Sequence, residues 1–351
     1  MTGVRVGLRC DAGPRRGVGH LVRCLALGEE FLARGAQVQL LGSVAGVDWA
    51  ARQLAARGIP HRAGPDTPAG LVAAAREHAL DVLVLDSYEL DPACAGALRA
   101  AGIRTLAVVD GDTRGQDADL YLDQNLGADT VAPAERLLAG TGYALLRREV
   151  LSRRPAAPRP PTPVARPRVL AFFGGTDAFG AAPPLTRLLL ATGQPMELTV
   201  VVAREPLEAD LTALRPARGQ TLRLVPPTDT LPELIAGADL VVSAAGTSTW
   251  ELCCLGAPSA LVCVVDNQRE SYHRVIREGV AAGLGELPTL VAAGPDGHAA
   301  RAGAVRTLRE LLTSAERRAD LSARGWSTVD GAGRARVVDA VLALLANPAP
   351  H

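Results

Sequence analysis

Short apolar segments alternate along this chain with longer stretches in which apolar residues recur at helical spacing. Runs such as Val4–Leu8 and Val82–Leu85 are typical of strands buried on both faces, whereas His20–Arg34 has the period of a helix. Strands that alternate with helices build parallel sheets, because each helix returns the chain to the edge where the next strand begins. The alternation therefore predicts an α/β fold.

The same alternation occurs twice. Strands are predicted at Val4–Leu8, Gln37–Leu41, Val82–Leu85, Arg104–Val109 and Leu120–Leu122, and again at Val169–Phe173, Leu198–Val202, Leu222–Leu224, Leu240–Ser243 and Leu261–Val265. Helices are predicted at His20–Arg34, Trp49–Ala56, Ala69–Ala79, Ala93–Ala101, Ala182–Leu190, Leu207–Leu214, Leu231–Ala236, Thr249–Leu255, Arg269–Glu278, Gly303–Leu312 and Ala332–Ala346.

A proline-rich segment, Arg153–Pro167, separates the two series. Such a segment neither joins a sheet nor continues a helix, so we interpret it as a semi-stiff linker. The chain then has a Rossmann-like domain over 1–152, a second over 168–330, and a C-terminal helix in 331–351 that packs back across the cleft or stays apart from it. We expect mainly parallel sheets that face each other across a cleft, where the carboxyl ends of such strands bind ligands.

Charge and composition exclude several classes of function. The 37 basic residues balance 37 acidic ones, so the chain lacks the broad positive field that binds nucleic acid or anionic lipid. Every basic residue is arginine, which excludes Schiff-base and P-loop lysine chemistry. The six cysteines lie in or beside apolar runs without a Cys-x-x-Cys pair, so we expect no metal and no disulfide. Without a signal peptide or a bilayer-length apolar run, the expected location is the cytoplasm.

The loop after the first predicted strand contains a candidate general base. Gly17 and Gly19 permit a tight turn and close approach of a ligand, and His20 follows at the start of a helix. The helix dipole there disfavours a positive charge, and the neutral imidazole is the form that acts as a base. A histidine that only caps its helix remains the alternative. The third glycine of a dinucleotide fingerprint is missing, so NAD is not expected.

Further polar residues follow the predicted strands of the first half. These are Asp86-Ser87-Tyr88, Asp110-Gly111-Asp112 and Asp123-Gln124-Asn125. By position they are site candidates, although an aspartate at such a place is as often a helix cap. Asp11 and Tyr88 are the next candidates for the base if His20 is not it.

The second half carries a phosphate-binding pattern. Gly174, Gly175 and Asp177 follow its first strand, and the run Ala245-Gly246-Thr247-Ser248-Thr249-Trp250-Glu251 leads from a strand into a helix. Small residues and hydroxyls at a helix N-terminus bind phosphate through free N–H groups, and Glu251 would accept both hydroxyls of a ribose. A glycine-rich turn with a capping box is the alternative. Asn267 and Gln268 end the next strand with amides suited to a sugar, and Asp177 is a further candidate for binding the sugar.

Taken together, seven collinear motifs resemble the nucleotide-sugar hydrolases of the pseudaminic acid pathway, the PseG/SpsG type, which are related to the GT-B transferase that completes lipid II. The motifs are Arg9-x-Asp11 with Gly17-x-Gly19-His20 and Arg23-Cys24, Asp86-x-Tyr88, Leu122–Leu126, Tyr143–Arg147, Gly174–Asp177, Ala244–Glu251 and Asp266–Gln268. The resemblance implies a GT-B fold, a UDP-sugar-type donor in the second domain and His20 as the base.

Two residues differ from the usual pattern of this hydrolase family, and both lie where the sugar and its substituents would be recognised. Ser87 stands where the hydrolases usually have histidine, and Gly180 stands where they have asparagine. We therefore expect an inverting, metal-independent glycosyltransferase that uses a nucleotide diphosphate sugar and a small-molecule OH or NH acceptor. The alternative is the hydrolase itself, with water as acceptor. A nucleotide-sugar epimerase and a catalytically silent sugar-binding module are the other interpretations; the oligomeric state is open.

Overall fold

The computed structural model describes residues 3–13 and 17–346, and they form two compact units. Unit 1 contains the described residues up to Arg148 together with those from Gly331 onwards. Unit 2 is Glu149–Asp330. Within the described ranges, none of the helices combines the length and hydropathy that crossing a bilayer requires.

Unit 1 is built on a seven-stranded sheet in which all neighbouring strands are parallel. Its strands are β1 (Arg5–Arg9), β2 (Gln37–Leu41), β3 (His61–Arg62), β4 (Val82–Leu85), β5 (Arg104–Val108), β6 (Leu120–Asp123) and β7 (Leu137–Ala139). Their spatial order is β3-β2-β1-β4-β5-β6-β7. The order reverses between β1 and β4, which is the position where open α/β sheets bind ligands.

The helices that follow these strands are α1 (Gly19–Ala33), α2 (Asp48–Ala56), α3 (Pro68–Glu77) and α4 (Cys94–Ala100), and α5 (Arg148–Leu151) begins at the boundary between the units. Alpha-helix α1 buries Leu21, Leu25 and Phe31 against the sheet, as its helical period predicts.

Unit 2 repeats the plan with six strands that are again all parallel. They are β8 (Arg168–Phe172), β9 (Met196–Val201), β10 (Gln220–Val225), β11 (Leu240–Ala244), β12 (Ser259–Cys263) and β13 (Ala282–Glu286). The spatial order is β10-β9-β8-β11-β12-β13, so its reversal lies between β8 and β11. The predicted α/β class with mainly parallel sheets is confirmed.

The helices of unit 2 are α6 (Ala182–Ala191), α7 (Glu205–Thr212), α8 (Leu231–Gly237), α9 (Ser248–Cys254), α10 (Arg269–Arg277), α11 (Leu287–Val291), α12 (Pro295–Thr313) and α13 (Ala315–Thr328). A last helix, α14 (Gly333–Ala346), belongs to unit 1, where it packs on α1 and buries Val337, Val338 and Val341 in the core. The C-terminal helix is therefore part of the first unit rather than a separate element.

Most predicted elements occur within a few residues of their expected bounds, and the missed ones are weakly patterned. The two residues of β3 are exposed, β7 is a three-residue edge strand, and β13 has the glycine-containing sequence AGLGE. Helices α5, α11 and α13 are not predicted, because α5 and α11 are very short and the polar α13 presents few apolar residues. Helix α12 begins at Pro295 and not at the predicted Gly303.

The proline-rich segment is bound along unit 2 and does not run freely between the units. The Pro155 carbonyl accepts a hydrogen bond from the Trp326 indole at 2.9 Å, and the Arg159 main-chain N–H donates to the Ser322 hydroxyl at 2.9 Å. The Arg154 guanidinium donates to the Cys254 carbonyl at 2.9 Å. Because these contacts lie within unit 2, the boundary falls between Arg148 and Glu149 and not after residue 152.

Candidate functional site

The side chains of His20 and Asp86 meet at the carboxyl edge of the unit 1 sheet. His20 is the second residue of α1, and Asp86 directly follows β4. The imidazole Nδ1 lies 2.6 Å from Oδ1 of Asp86, whose carboxylate is fully buried. Val18 is the N-cap residue of α1 and makes no side-chain capping bond, and the His20 ring contacts Asp86, so the interpretation of His20 as a helix cap does not fit this geometry.

Arg23, one turn further along α1, connects the fully buried carboxylate of Asp86 to the partly exposed carboxylate of Asp110. Its Nε and one terminal nitrogen both donate to Asp86 at 2.7 Å. The same guanidinium donates to both oxygens of Asp110, which follows β5, at 3.1 Å. Arg23 thereby ties α1 to the ends of two neighbouring strands with a planar, bidentate contact that a lysine would not supply.

These contacts keep the carboxylates ionised. Burial alone raises the pKa of Asp86, but the charge of Arg23 and the hydrogen bonds from Arg23 and His20 outweigh it and hold that pKa below its ordinary value. Burial opposes ionisation of Asp110 in the same way, and Arg23 again prevails and holds the pKa of Asp110 well below its usual range. An ionised Asp86 has no proton to donate, so Nδ1 of His20 must donate to it. Nδ1 then has no lone pair for the Arg23 nitrogen 3.2 Å away.

With the proton on Nδ1, the neutral imidazole carries its lone pair on Nε2. Asp86 therefore orients the ring and selects the tautomer in which the outer nitrogen is the base. The His20 side chain is 20% exposed, so the imidazole is accessible to solvent and to a substrate.

Tyr88 lies beside His20 but is not arranged as a base. Its ring meets the imidazole edge to face with centroids 4.8 Å apart, and its hydroxyl donates to Asp110 at 2.5 Å. Burial and the negative charge of Asp110 raise the pKa of Tyr88 well above its ordinary value, so the phenol stays protonated. The Arg114 guanidinium covers the ring at 3.9 Å from its centroid.

The candidates at the end of β6 and just beyond it brace this edge of the sheet. Asp123 accepts hydrogen bonds from the Gly111 main-chain N–H at 2.9 Å and from the Thr130 hydroxyl at 2.6 Å. Asn125 donates to Asp123 at 2.9 Å and to Asp110 at 3.0 Å. The strand ends of β5 and β6 are therefore joined through the same carboxylate that Arg23 holds.

The other predicted residues of the first loop support its path. Gly17 has a φ of 76°, which favours glycine, and pairs with Gly13 through two main-chain hydrogen bonds. Gly19 begins α1. Asp11 accepts from the Ser43 N–H at 2.7 Å and from Arg9 at 2.9 Å, so its contacts are those of a brace and not of the alternative base.

In unit 2 the loop after β8 contains the predicted Gly174 and Gly175, both exposed, and Gly174 has a φ of 75°. Asp177 in the same loop is buried, and its two oxygens accept from the Ala181 and Ala182 N–H groups at 2.8 and 3.0 Å. Asp177 is thus committed to the start of α6, which does not fit the predicted contact with a sugar.

The loop after β11 has the form of an anion cradle. Ala245 and Gly246 make main-chain bonds at the strand end, and the N–H groups of Thr247 and Ser248 have no acceptor among residues 3–13 and 17–346. The Thr247 side chain makes no capping bond, and Glu251 lies buried one turn into α9. Free N–H groups at a strand-to-helix turn are suited to phosphate oxygens.

The two amides predicted to read a sugar differ in their surroundings. Asn267 is exposed in the turn after β12. Gln268 accepts from the Val264 N–H at 3.1 Å, and its amide nitrogen lies 3.5 Å from the position that a Cβ on Gly246 would occupy. Only Gln268 is therefore placed over the cradle by a contact within the chain.

All six cysteines are reduced and buried. Among the described residues, no three His, Cys, Asp or Glu side chains are grouped in a way that would hold a metal ion. Two residues that sequence reasoning did not place in the site are Arg114, which stacks on Tyr88, and Arg204, which follows β9. A single arginine in a chain with 37 basic residues gives no motif by which to find it.

Solved structures share this fold over nearly the whole chain. MurG from Acinetobacter baumannii has a TM-score of 0.69 at 17% identity and covers 97% of this chain and 99% of its own. The UDP-GlcNAc 2-epimerase from Neisseria meningitidis, bound to UDP-GlcNAc, has a TM-score of 0.64 at 12% identity and covers 97% and 100%. The glycotransferase of kitacinnamycin has a TM-score of 0.59 at 16% identity and covers 97% and 98%.

No model of a known protein family and no curated protein sequence matches the chain. The structural likeness shows the fold, which is GT-B-like with two parallel sheets, as expected from the sequence.

Replacing Arg23 tests the arrangement of this site. Arg23→Met leaves the buried Asp86 and the partly exposed Asp110 without their cation, and breaking the buried pair with Asp86 costs about 3–5 kcal/mol of unfolding free energy. Arg34→Met is the control, because Arg34 makes exposed pairs with Glu30 and Asp339 that contribute less than about 1 kcal/mol. Chemical unfolding at pH 8 measures both.

The stabilities of the wild type and of Arg23→Met are expected to depend differently on pH. In the wild type the carboxyl pKa values lie below those of the unfolded chain, so stability is full above about pH 4 and falls as the pH drops further. Without Arg23, burial raises these pKa values and the folded variant takes up protons first. The difference in stability between wild type and Arg23→Met should therefore shrink from pH 8 to pH 4, and a constant difference would contradict this electrostatic origin.

Proposed function

We propose that this protein is an enzyme that cleaves the anomeric C–O bond of a nucleotide diphosphate sugar and transfers the sugar, with inversion, to an OH or NH acceptor. The observation that carries the proposal is the contact between His20 and the buried Asp86 carboxylate, which leaves Nε2 as a base at the ligand-binding edge of unit 1.

Unit 2 is proposed to bind the donor. The unpaired N–H groups of Thr247 and Ser248, with Gly246 beside them, would bind the diphosphate, and Gly174 and Gly175 let the β8 loop approach it closely. Glu251 would accept the ribose hydroxyls. The UDP-GlcNAc bound to the Neisseria meningitidis epimerase supports a UDP-type donor.

The reaction needs one proton transfer and one displacement. As the acceptor oxygen or nitrogen attacks the anomeric carbon, its proton passes to Nε2 of His20, and Asp86 stabilises the imidazolium that forms. The bond from the anomeric carbon to the phosphate oxygen breaks, and its electron pair leaves with the nucleotide diphosphate. Attack opposite the leaving group inverts the configuration. The N–H groups of the cradle stabilise the negative charge that develops on the diphosphate.

A PseG/SpsG-type hydrolysis is the second candidate, because seven motifs of this chain resemble that family in order. In that reaction water replaces the acceptor, and the roles of His20, Asp86 and the cradle are the same. We favour transfer because Ser87 and Gly180 differ from the residues that the hydrolases usually have at positions expected to contact the sugar.

The test is mass spectrometry of the protein incubated with a panel of nucleotide sugars, with and without candidate acceptors, in EDTA. We expect release of the nucleotide diphosphate and a glycosylated acceptor, undiminished by EDTA because no step is assigned to a metal. Free sugar without an acceptor product would indicate the hydrolase, and a changed sugar free of acceptor would indicate an epimerase. Binding without turnover over the whole panel would favour a silent module and contradict the proposal.

Replacing His20 tests the proposed base. His20→Ala should lower kcat by a factor of about 10²–10⁴, the usual contribution of a general base, while the affinity for the nucleotide diphosphate stays unchanged because unit 2 binds it. His61→Gln is the matched control, since His61 is exposed on β3. Near-normal turnover in His20→Asn would contradict the assignment.

A further inference from the structure

Arg204 is placed at the same edge of the unit 2 sheet as the proposed phosphate cradle. It lies between the end of β9 and the start of α7. Strand β9 is hydrogen-bonded to β8, and β8 to β11, so the segments after these three strands emerge side by side. Those segments carry Arg204, the glycine pair of the β8 loop and the Thr247–Ser248 turn.

The Arg204 guanidinium lacks the partners that a half-buried arginine normally has. Its Nε is buried and makes no hydrogen bond, and within the described part of the chain no carboxylate lies close enough to form an ion pair with it. A buried, unpaired N–H is costly, and a charged one more so. Arg204 therefore has unused donors in a position where the fold presents ligand-binding groups.

Asp177, in the loop after the neighbouring strand β8, does not satisfy this arginine. Burial raises the pKa of Asp177 and the charge of Arg204 acts against that rise, yet both Asp177 oxygens already accept hydrogen bonds from the Ala181 and Ala182 N–H groups at the start of α6. One guanidinium nitrogen lies 3.8 Å from the position that a Cβ on Gly180 would occupy. Arg204 thus lies against the glycine-containing loop after β8, with its charge only partly compensated.

We infer that Arg204 binds a phosphate oxygen of the donor's diphosphate and stays bound to it as the diphosphate leaves. This inference rests on the proposed function. A guanidinium donates two parallel N–H groups to a phosphate, and this chain has no lysine that would do so instead. The main-chain N–H groups of the cradle carry only partial charge, so Arg204 supplies the full positive charge that a departing diphosphate requires when no metal is bound.

The experiment measures the affinities of UDP and uridine for the full-length protein by calorimetry, in wild type, Arg204→Gln, Arg204→Lys and Arg223→Gln. Arg223 is exposed on β10 and serves as the matched control. We expect Arg204→Gln to bind UDP about 10–100-fold more weakly and uridine equally well, with a smaller loss for Arg204→Lys and none for Arg223→Gln.

A second measurement separates binding from folding. Because the Nε–H is unpaired in the free protein, Arg204→Gln should keep or raise the thermal unfolding temperature without ligand, whereas UDP should stabilise it less than the wild type. A drop of the ligand-free temperature, or an equal loss of UDP and uridine binding, would indicate a structural role and overturn the inference.

The remaining outcomes distinguish the inference from the proposed function. If wild type and Arg204→Gln bind UDP equally well, the assignment of Arg204 is wrong and the proposed function stands. If the wild type binds none of UDP, CDP, TDP, ADP and GDP, the proposed donor site in unit 2 is wrong and the inference falls with it.

Discussion

The buried carboxylate of Asp86 is the group on which the arrangement of the unit 1 site depends. It has no exposed surface, its charge is balanced by Arg23, and it accepts a hydrogen bond from Nδ1 of His20. A buried anion is tolerable only where such partners hold it, so its presence fixes the position of α1 against β4. Because Arg23 also reaches Asp110, the end of β5 is fixed by the same charge. The orientation of the imidazole thus follows from the ion pairs and hydrogen bonds at this edge of the sheet.

Unit 2 shows the complementary situation, in which donors lack acceptors. The N–H groups of Thr247 and Ser248 and the Nε–H of Arg204 are unpaired within the described residues, and all three follow strands of one β9-β8-β11 set. A buried N–H that stays unpaired, such as the Nε–H of Arg204, costs stability in the free protein, and the proposed diphosphate would supply its missing acceptor. This pattern is consistent with the proposed diphosphate site, to which Arg204 would add the charge that the main chain lacks.

The fold was predictable because each strand is a short apolar run and each helix has a clear period, as β4 and α1 illustrate. The polar residues after strands were predictable by position. Their pairing was not, because Arg23 and Asp86 are 63 residues apart and meet only through the order of β1, β4 and β5. The sequence around Asp177 likewise does not predict that its carboxylate accepts hydrogen bonds from the start of α6. Arg204 belongs to no recognisable motif. The local pattern of apolar residues therefore predicts the strands and helices, but which side chains meet in the site depends on contacts between residues far apart in the sequence.

The tautomer of His20 is the most direct test of this arrangement. It is measured by ¹⁵N NMR of protein labelled at the histidine nitrogens, with His20→Gln to assign the signals. If Asp86 positions the base, the neutral imidazole of His20 carries its proton on Nδ1, and Asp86→Asn, which removes the charged acceptor, loses this preference. A neutral His20 protonated on Nε2 in the wild type would contradict the central claim, because the nitrogen facing the substrate would then have no lone pair to act as a base.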